Sequence, residues 1–339
     1  MRRAISYFGL LIVLLSSLFV TAYSIPVSAD NECPNQTVYL ALSDHVRGYP
    51  FKASGGVDAC QDITGPNTTL QTARTLVISK HADLHVLQFL TNGTFSVFAP
   101  DATGNATPTR TVEVFTNDLV AIAVDSHVND YVLSVRDGPQ VAVFPNTANG
   151  RSNSNPVIIT DPNIGLVGSI AIDKNDHLLI AGYNGKGEAQ IDTLAISKNA
   201  PPVVLTSLHG PKTGMLPYDQ SFVGIGNISI ALNPQTGELF VFTASTVHSQ
   251  TEVSVFAPNA NGDASPLRVI SGDKTKIQGV GFLGTNKIAV SANGTLVVSE
   301  PSAMILVFAP GANGNVQPSR ILFDKNPPSS SEGGIAVRG

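Results

Sequence analysis

The sequence predicts an all-β protein, a six-bladed β-propeller of four-stranded blades whose ring is closed by the C-terminal strand joining the N-terminal blade. Three observations predict it. A long motif recurs without a gap, the strands around it are apolar along their whole length, and the last repeat stops where the first lacks its opening strand.

The motif V-F-A-P-x-A-x-G-x-x-x-P-x-R occupies residues 97–110, 255–268 and 307–320. A longer copy runs from Val143-Phe144-Pro145 to Pro156, and an eroded one from Ile191 to Pro201. Between copies lie an apolar strand, a polar turn and a second apolar strand: 121–125 with 131–133, 169–173 with 178–181, and 287–290 with 296–298. Each unit is therefore four short strands, a to d from the inside outward. The period of roughly 50 residues is that of propeller-type repeats.

Segments such as Leu239-Phe240-Val241-Phe242 are apolar at every position. A sheet buried on both faces needs this, as blades stacked between blades are; a two-sheet sandwich would alternate. The Ala-Pro pair closes strand c, because proline cannot donate to a ladder. Gly104, Gly262 and Gly314 supply a flexible turn. The second proline opens strand d, an exposed edge where proline and arginine discourage further strand addition. Recurrence around a ring assigns Arg110, Arg268 and Arg320 a structural role.

Strand a recurs at 75–79, 120–124, 169–172, 227–231, 287–290 and 334–337, and nothing follows the last copy to serve as its strands b to d. Those strands stand at the other end, at 37–42, 47–52 and 60–64. The two ends therefore share one blade, and six blades result.

These V-F-A-P and G-I-A-V segments resemble the NHL-type repeats of secreted bacterial propellers, which are distantly similar to gluconolactonase and regucalcin-like propellers. The resemblance spans nearly all of the chain beyond its N-terminal segment. It implies the fold, whereas one fold hosts many activities. The lactonase relatives hold a divalent metal such as calcium in the central channel through carboxylate and amide groups, a hard cation acting as Lewis acid. The resemblance thus implies, as the alternative function, a metal-dependent lactonase or hydrolase-like enzyme. Arg74, Asp118, Ser169, Asn227, Asn286 and Gly334 precede or open strand a and should line the channel mouth. Of these, Asp118 and Asn227 have ligand chemistry, and no glutamate takes a matching position.

Charged residues make up 13 % of the chain and the net charge is −5, without a basic cluster. A nucleic-acid partner would need a concentrated Lys/Arg footprint. Arg2 and Arg3, the apolar stretch from Phe8 to Val20 and the small-residue site Val27-Ser28-Ala29 read as a signal peptide over 1–29. That leaves 30–339 as a single domain, secreted to an extracellular or periplasmic space and free of the membrane after cleavage. The only cysteines, Cys33 and Cys60, read as a disulfide there.

No G-x-S-x-G elbow, H-E-x-x-H pair or phosphate-cradling loop occurs. His81, His127 and His177 fall in a–b turns of separate blades and read as solvated. The favoured function is a non-catalytic binding or scaffold propeller without a cofactor. Its partner would be an extracellular glycan, peptide or cell-surface protein. Connections from d to the next a emerge around the channel mouth, and the long ones at 209–226 and 271–285 depart from the bland repeat. Binding resides on long loops of a rigid scaffold. Tyr218 and Phe222 are expected to give apolar contact, and Lys212, Asp219 and Lys276 to orient a polar ligand.

Overall fold

The computed structural model describes residues 33–88, 93–114, 118–135, 138–151, 157–197, 200–218, 227–245, 249–278, 287–301, 303–328 and 333–339. All belong to one compact unit, Glu32–Gly339. The segment expected to be a signal peptide lies outside the described residues.

Six antiparallel sheets follow one another along the chain. In the first blade Ile335–Arg338 is innermost, beside Thr37–Leu42, His45–Pro50 and Gln61–Thr64. Blade two is Ala73–Ile78, Leu84–Gln88, Thr94–Phe98 and Arg110–Glu113; blade three is Leu119–Val124, Asp130–Ser134, Gln140–Phe144 and Val157–Ile159. Blade four comprises Leu166–Ile172, Leu178–Tyr183, Ala189–Ser197 and Ala200–His209. Blade five comprises Ile228–Leu232, Leu239–Ser245, Gln250–Phe256 and Arg268–Ser271. Blade six comprises Ile288–Val290, Leu296–Glu300, Met304–Phe308 and Arg320–Asp324. Each inner strand lies beside the next, and the last beside the first. The chain is a six-bladed β-propeller closed by its own ends.

The core explains the continuous apolar runs. Six clusters of buried side chains fill the six gaps between neighbouring blades. Strand Leu239–Ser245 sends Leu239 and Val241 into the gap with blade four, and Phe240 and Phe242 into the gap with blade six. Both faces are core, so period-two polarity is lost. The closing gap is also tied by polar groups. Arg47 Nη1 lies 2.6 Å from Asp324 Oδ2, and the Tyr49 hydroxyl donates to the same carboxylate at 2.7 Å. Cys33 and Cys60 form a disulfide with Cα atoms 5.1 Å apart, fastening the segment ahead of the first strand.

The outer edges differ from the expectation. They are covered by the next blade's c–d connection, which pairs in parallel with the outer strand behind it. Gly150–Arg151 joins Val112–Glu113, and Gly55–Val57 joins Leu322–Asp324. Gly104, Gly262 and Gly314 bridge to Ile63, Leu208 and Ile270. These three glycines are a docking element and not merely a flexible turn: Gly104 N–H donates to Asp62 O and Thr64 N–H donates back to Gly104 O. Their φ values of 59°, 61° and 73° lie in the left-handed region, while a Cβ would meet nothing within 4 Å. Glycine is required for its backbone and not for space.

A second repeat accompanies the bridge. The residue after each glycine reaches back to a 3₁₀ turn that follows the preceding outer strand. Asn105, Asp263 and Asn315 Oδ1 accept the N–H groups of Asn67, Lys212 and Lys274 at 2.7, 2.6 and 2.8 Å. Buried Thr68, Thr213 and Thr275 close those turns onto the carbonyls of Gly65, Gly210 and Gly272. Blade four alone joins strands c and d by a tight hairpin, so no such connection reaches back to Val157–Ile159. Val157 and Ile158 there are 42 % and 51 % exposed.

The recurring arginines are structural. Arg110, Arg268 and Arg320 lie 5.5, 5.9 and 5.5 Å over the rings of Phe95, Phe240 and Phe51. Arg110 also pairs with buried Asp130, Arg268 with Glu238, and Arg320 donates to Phe51 O.

Candidate functional site

The a–b turns build one face of the ring, and a polar residue opens each. Asp125 Oδ1 accepts from the N–H groups of His127 and Asn129 at 2.8 Å, and Asp173 Oδ1 from those of Asn175 and His177 at 2.8 and 2.9 Å. Ser79 and Asn233 do the same in their turns. Short polar side chains favour such local bonding. The Asp125 and Asp173 carboxylates thereby hold backbone, and the second oxygen of each is engaged by a side chain, Asn129 Nδ2 at 2.8 Å and His177 Nδ1 at 3.0 Å.

The turns of blades two to five line a cavity of about 420 Å³, together with Leu179, Thr193 and Thr206 of blade four and residues 257–260 of blade five. Its floor is apolar, from Ile78, Val124, Ile172 and Leu232, which end or nearly end four successive inner strands. Its rim includes Lys80, Lys174, Asp176 and Asn233. Burial acts to raise the Asp176 carboxyl, but the Ser126 hydroxyl at 2.6 Å and N–H at 2.8 Å hold it below the ordinary carboxylate range, with help from His127 and Lys80. Asp176 thus brings a negative charge to the rim, within the influence of Lys80.

Of the expected site residues, Lys212, Tyr218 and Lys276 lie on the opposite face, among the d–a connections. Lys212 and Lys276 are exposed, on the second position and at the C-cap of the 3₁₀ turns Pro211–Thr213 and Asp273–Thr275. The start of each long connection is therefore the same docking turn that occurs at Pro66–Thr68, not an insertion. Tyr218 is half-buried, its ring 5.3 Å from that of Tyr183 and its N–H donating to Gly187 O. Asp219 and Phe222 lie outside the described residues, as does Asn286.

Asp118 and Asn227 stand just ahead of the inner strands of blades three and five, with blade four between them. Asn227 Nδ2 donates to Ala244 O at 3.4 Å, and Asp118 O accepts from Val135 N–H. Among the described residues, no group of three or more His, Cys, Asp or Glu gathers as an ion site. His127 Nδ1 lies 3.4 Å from Asp176, and His177 Nδ1 3.0 Å from Asp173.

Several buried polar residues escaped the sequence reading. Gln88, Thr243 and Glu300 hold one register position in strand b and accept the N–H groups of Gln71, Leu216 and Gln278 from the incoming d–a connections. Burial pushes Glu300 up to about 7, against the pull of Lys287. Glu252 is likewise pushed up to about 7 by burial, against donors Ser254 and Thr243. A lone Gln, Thr or Glu ending an apolar run was the available signal, but its chemistry varies between blades.

No family model matches the sequence, and no curated protein does either. Among solved structures, a protein of unknown function from Bacteroides caccae aligns with a TM-score of 0.54 at 11 % identity, over 89 % of this chain and 98 % of that one. The WD40 β-propeller domain of Doa1 aligns at 0.49 and 12 %, over 81 % and 75 %. Hydrazine synthase of Kuenenia stuttgartiensis aligns at 0.42 and 13 %, over 72 % of this chain and 57 % of that one. At 11 % identity the likeness to the Bacteroides caccae protein speaks to fold alone. No helix among the described residues is long and apolar enough to cross a membrane.

Proposed function

We propose that this chain is an exported, non-catalytic binding propeller whose ligand sits in the cavity on the a–b turn face. The observation that carries the reading is the cavity itself, about 420 Å³ with an apolar floor and a charged rim. Small-ligand sites have this size and this division of labour. A ligand with one apolar and one polar side fits it, such as a sugar ring or a peptide side chain. Asp125 and Asp173 are occupied by turn N–H groups, which favours binding over acid–base chemistry. The repeats' resemblance to NHL-type secreted propellers and the Cys33–Cys60 bridge support export.

The opposite face is a second surface of this kind. Lys212 and Lys276 point charge outward from rigid turns, and Tyr218, Asp219 and Phe222 share one connection with Lys212. Glycan and peptide arrays probed with the full chain test both faces at once. Lys80→Glu with Lys174→Glu should remove binding at least tenfold, while Lys212→Glu with Lys276→Glu should leave it. Loss in the second pair alone would move the site to the loop face, and no bound probe at millimolar concentration would defeat the cavity reading.

A further inference from the structure

One junction of the ring lacks both the c–d bridge found at the other five and the strand-b cap found at three of them. No c–d connection reaches back from blade four to the outer strand of blade three. The strand-b position that caps the incoming connection in blades two, five and six is Gly182 in blade four. A Cβ there would lie 2.0 Å from Leu166 O, so no side chain fits.

Two carboxylates occupy this junction instead. Asp192 shares its register with Ser96 and Ser254 of the other blades, is 0 % exposed, and replaces a hydroxyl by a charge. Asp161, from the connection out of blade three, is 5 % exposed and lies against it. Asp161 Oδ1 accepts the Asn163 N–H at 2.9 Å, but its buried Oδ2 has no hydrogen-bond partner among the described residues. Around Asp192 stand Gln190 and Asn163 amides at 2.9 and 3.1 Å and the Ser207 hydroxyl at 2.6 Å. Among the described residues, the one charged group acting on Asp161 is Asp192. Pro162 and Asn163, on the same connection as Asp161, are exposed.

We propose that Asp161 and Asp192, with the Ser207 hydroxyl and the amides of Asn163 and Gln190 turned from donating to Asp192 to offering their oxygens, bind a divalent cation of calcium type that pins blade four to the connection from blade three. Adjacent buried carboxylates without a counter-charge repel. A set of carboxylate, amide and hydroxyl oxygens is what a hard cation takes, and calcium tolerates irregular geometry. The ion does at this junction what the glycine bridge and Asx cap do elsewhere.

The test is the melting temperature of the chelator-stripped full chain at pH 7.5, with calcium or magnesium added, for wild type, Asp161→Asn and Asp192→Asn. Calcium should raise the wild-type Tm by about 5 °C at a hundredfold excess over Kd. Both variants should lose that rise, and elemental analysis should find bound calcium in the wild type only. Should Asp192→Asn fail to fold, Asp161→Asn on the exposed connection decides alone. Absence of a wild-type rise at 5 mM calcium overturns the proposal. So does an equal rise in Asp161→Asn, which places the ion elsewhere. A wild type that ignores calcium but gains stability from pH 7.5 to 5.5, with Asp161→Asn losing that gain, would show a shared proton in place of the ion.

Discussion

Two residues show how unlike the buried charges of this ring are. Asp130 is fully buried and satisfied, holding Arg110 on one oxygen and His85 on the other. Removing one partner leaves a buried charge uncompensated, so Arg110→Ala should cost on the order of 3 kcal/mol, read as a drop in the denaturant midpoint. Glu252 has hydroxyl donors but no cation among the described residues, and burial raises it to about 7 from the ordinary 4.5. Its folded form therefore holds a proton longer than the unfolded chain does, and stability falls as pH rises from about 4.5 through about 7. Above that range the ionised side chain costs on the order of 3 kcal/mol. Glu252→Gln keeps an oxygen for Thr243 and Ser254 and should raise Tm at pH 8 with little change near pH 4. An equal effect at both pH values would show that the charge is not what matters.

At the scale of elements, the docking turn and its glycine deserve equal weight with the strands. Gly314→Ala should destabilise through its φ of 73°, by roughly 1 kcal/mol. Asp263→Ala, which frees the Lys212 N–H, should cost about as much, as loss of a helix cap does. Thermal melts of each variant check both values, and neutrality in both would reduce the coupling between blades to apolar packing. The strands themselves were legible from apolar runs, and the V-F-A-P motif located every c strand that carries it. What the motif does was not legible. A glycine in a polar connection suggests a turn in any protein, and only the fold brings Gly104 beside Ile63, a strand from the neighbouring blade. The G-x-x-T turns at Gly65, Gly210 and Gly272 went unseen because their second and third positions differ between copies. The cavity was missed for a related reason. Its lining comes from four blades, and each contributes residues typical of any strand end.

For the whole molecule, the phase of the repeats gave away the closure, since a truncated last unit and a headless first one complete each other. The cavity on the a–b turn face was not legible, because unusual residues drew attention to the long loops while the cavity lies among ordinary turns. Export is checked by intact mass of the protein recovered outside the cell, which should begin near Asp30 and gain two hydrogens only on reduction. An unprocessed N-terminus in that protein would contradict the signal-peptide reading. Ring closure by the two chain ends underlies every site described above. Ile335 and Ala336 are buried between blades, and Gly334 N–H donates to Arg74 O across to blade two. Losing these contacts and exposing the inner edge of Thr37–Leu42 forfeits several side chains at roughly 1.5–3 kcal/mol each, much of a domain's net stability. The most direct measurement is limited proteolysis with a thermal melt on a chain ending before residue 333. Rapid digestion or aggregation, with no cooperative transition near that of the full chain, is the predicted result; a truncated chain that resists protease and melts with the full-length protein would contradict closure.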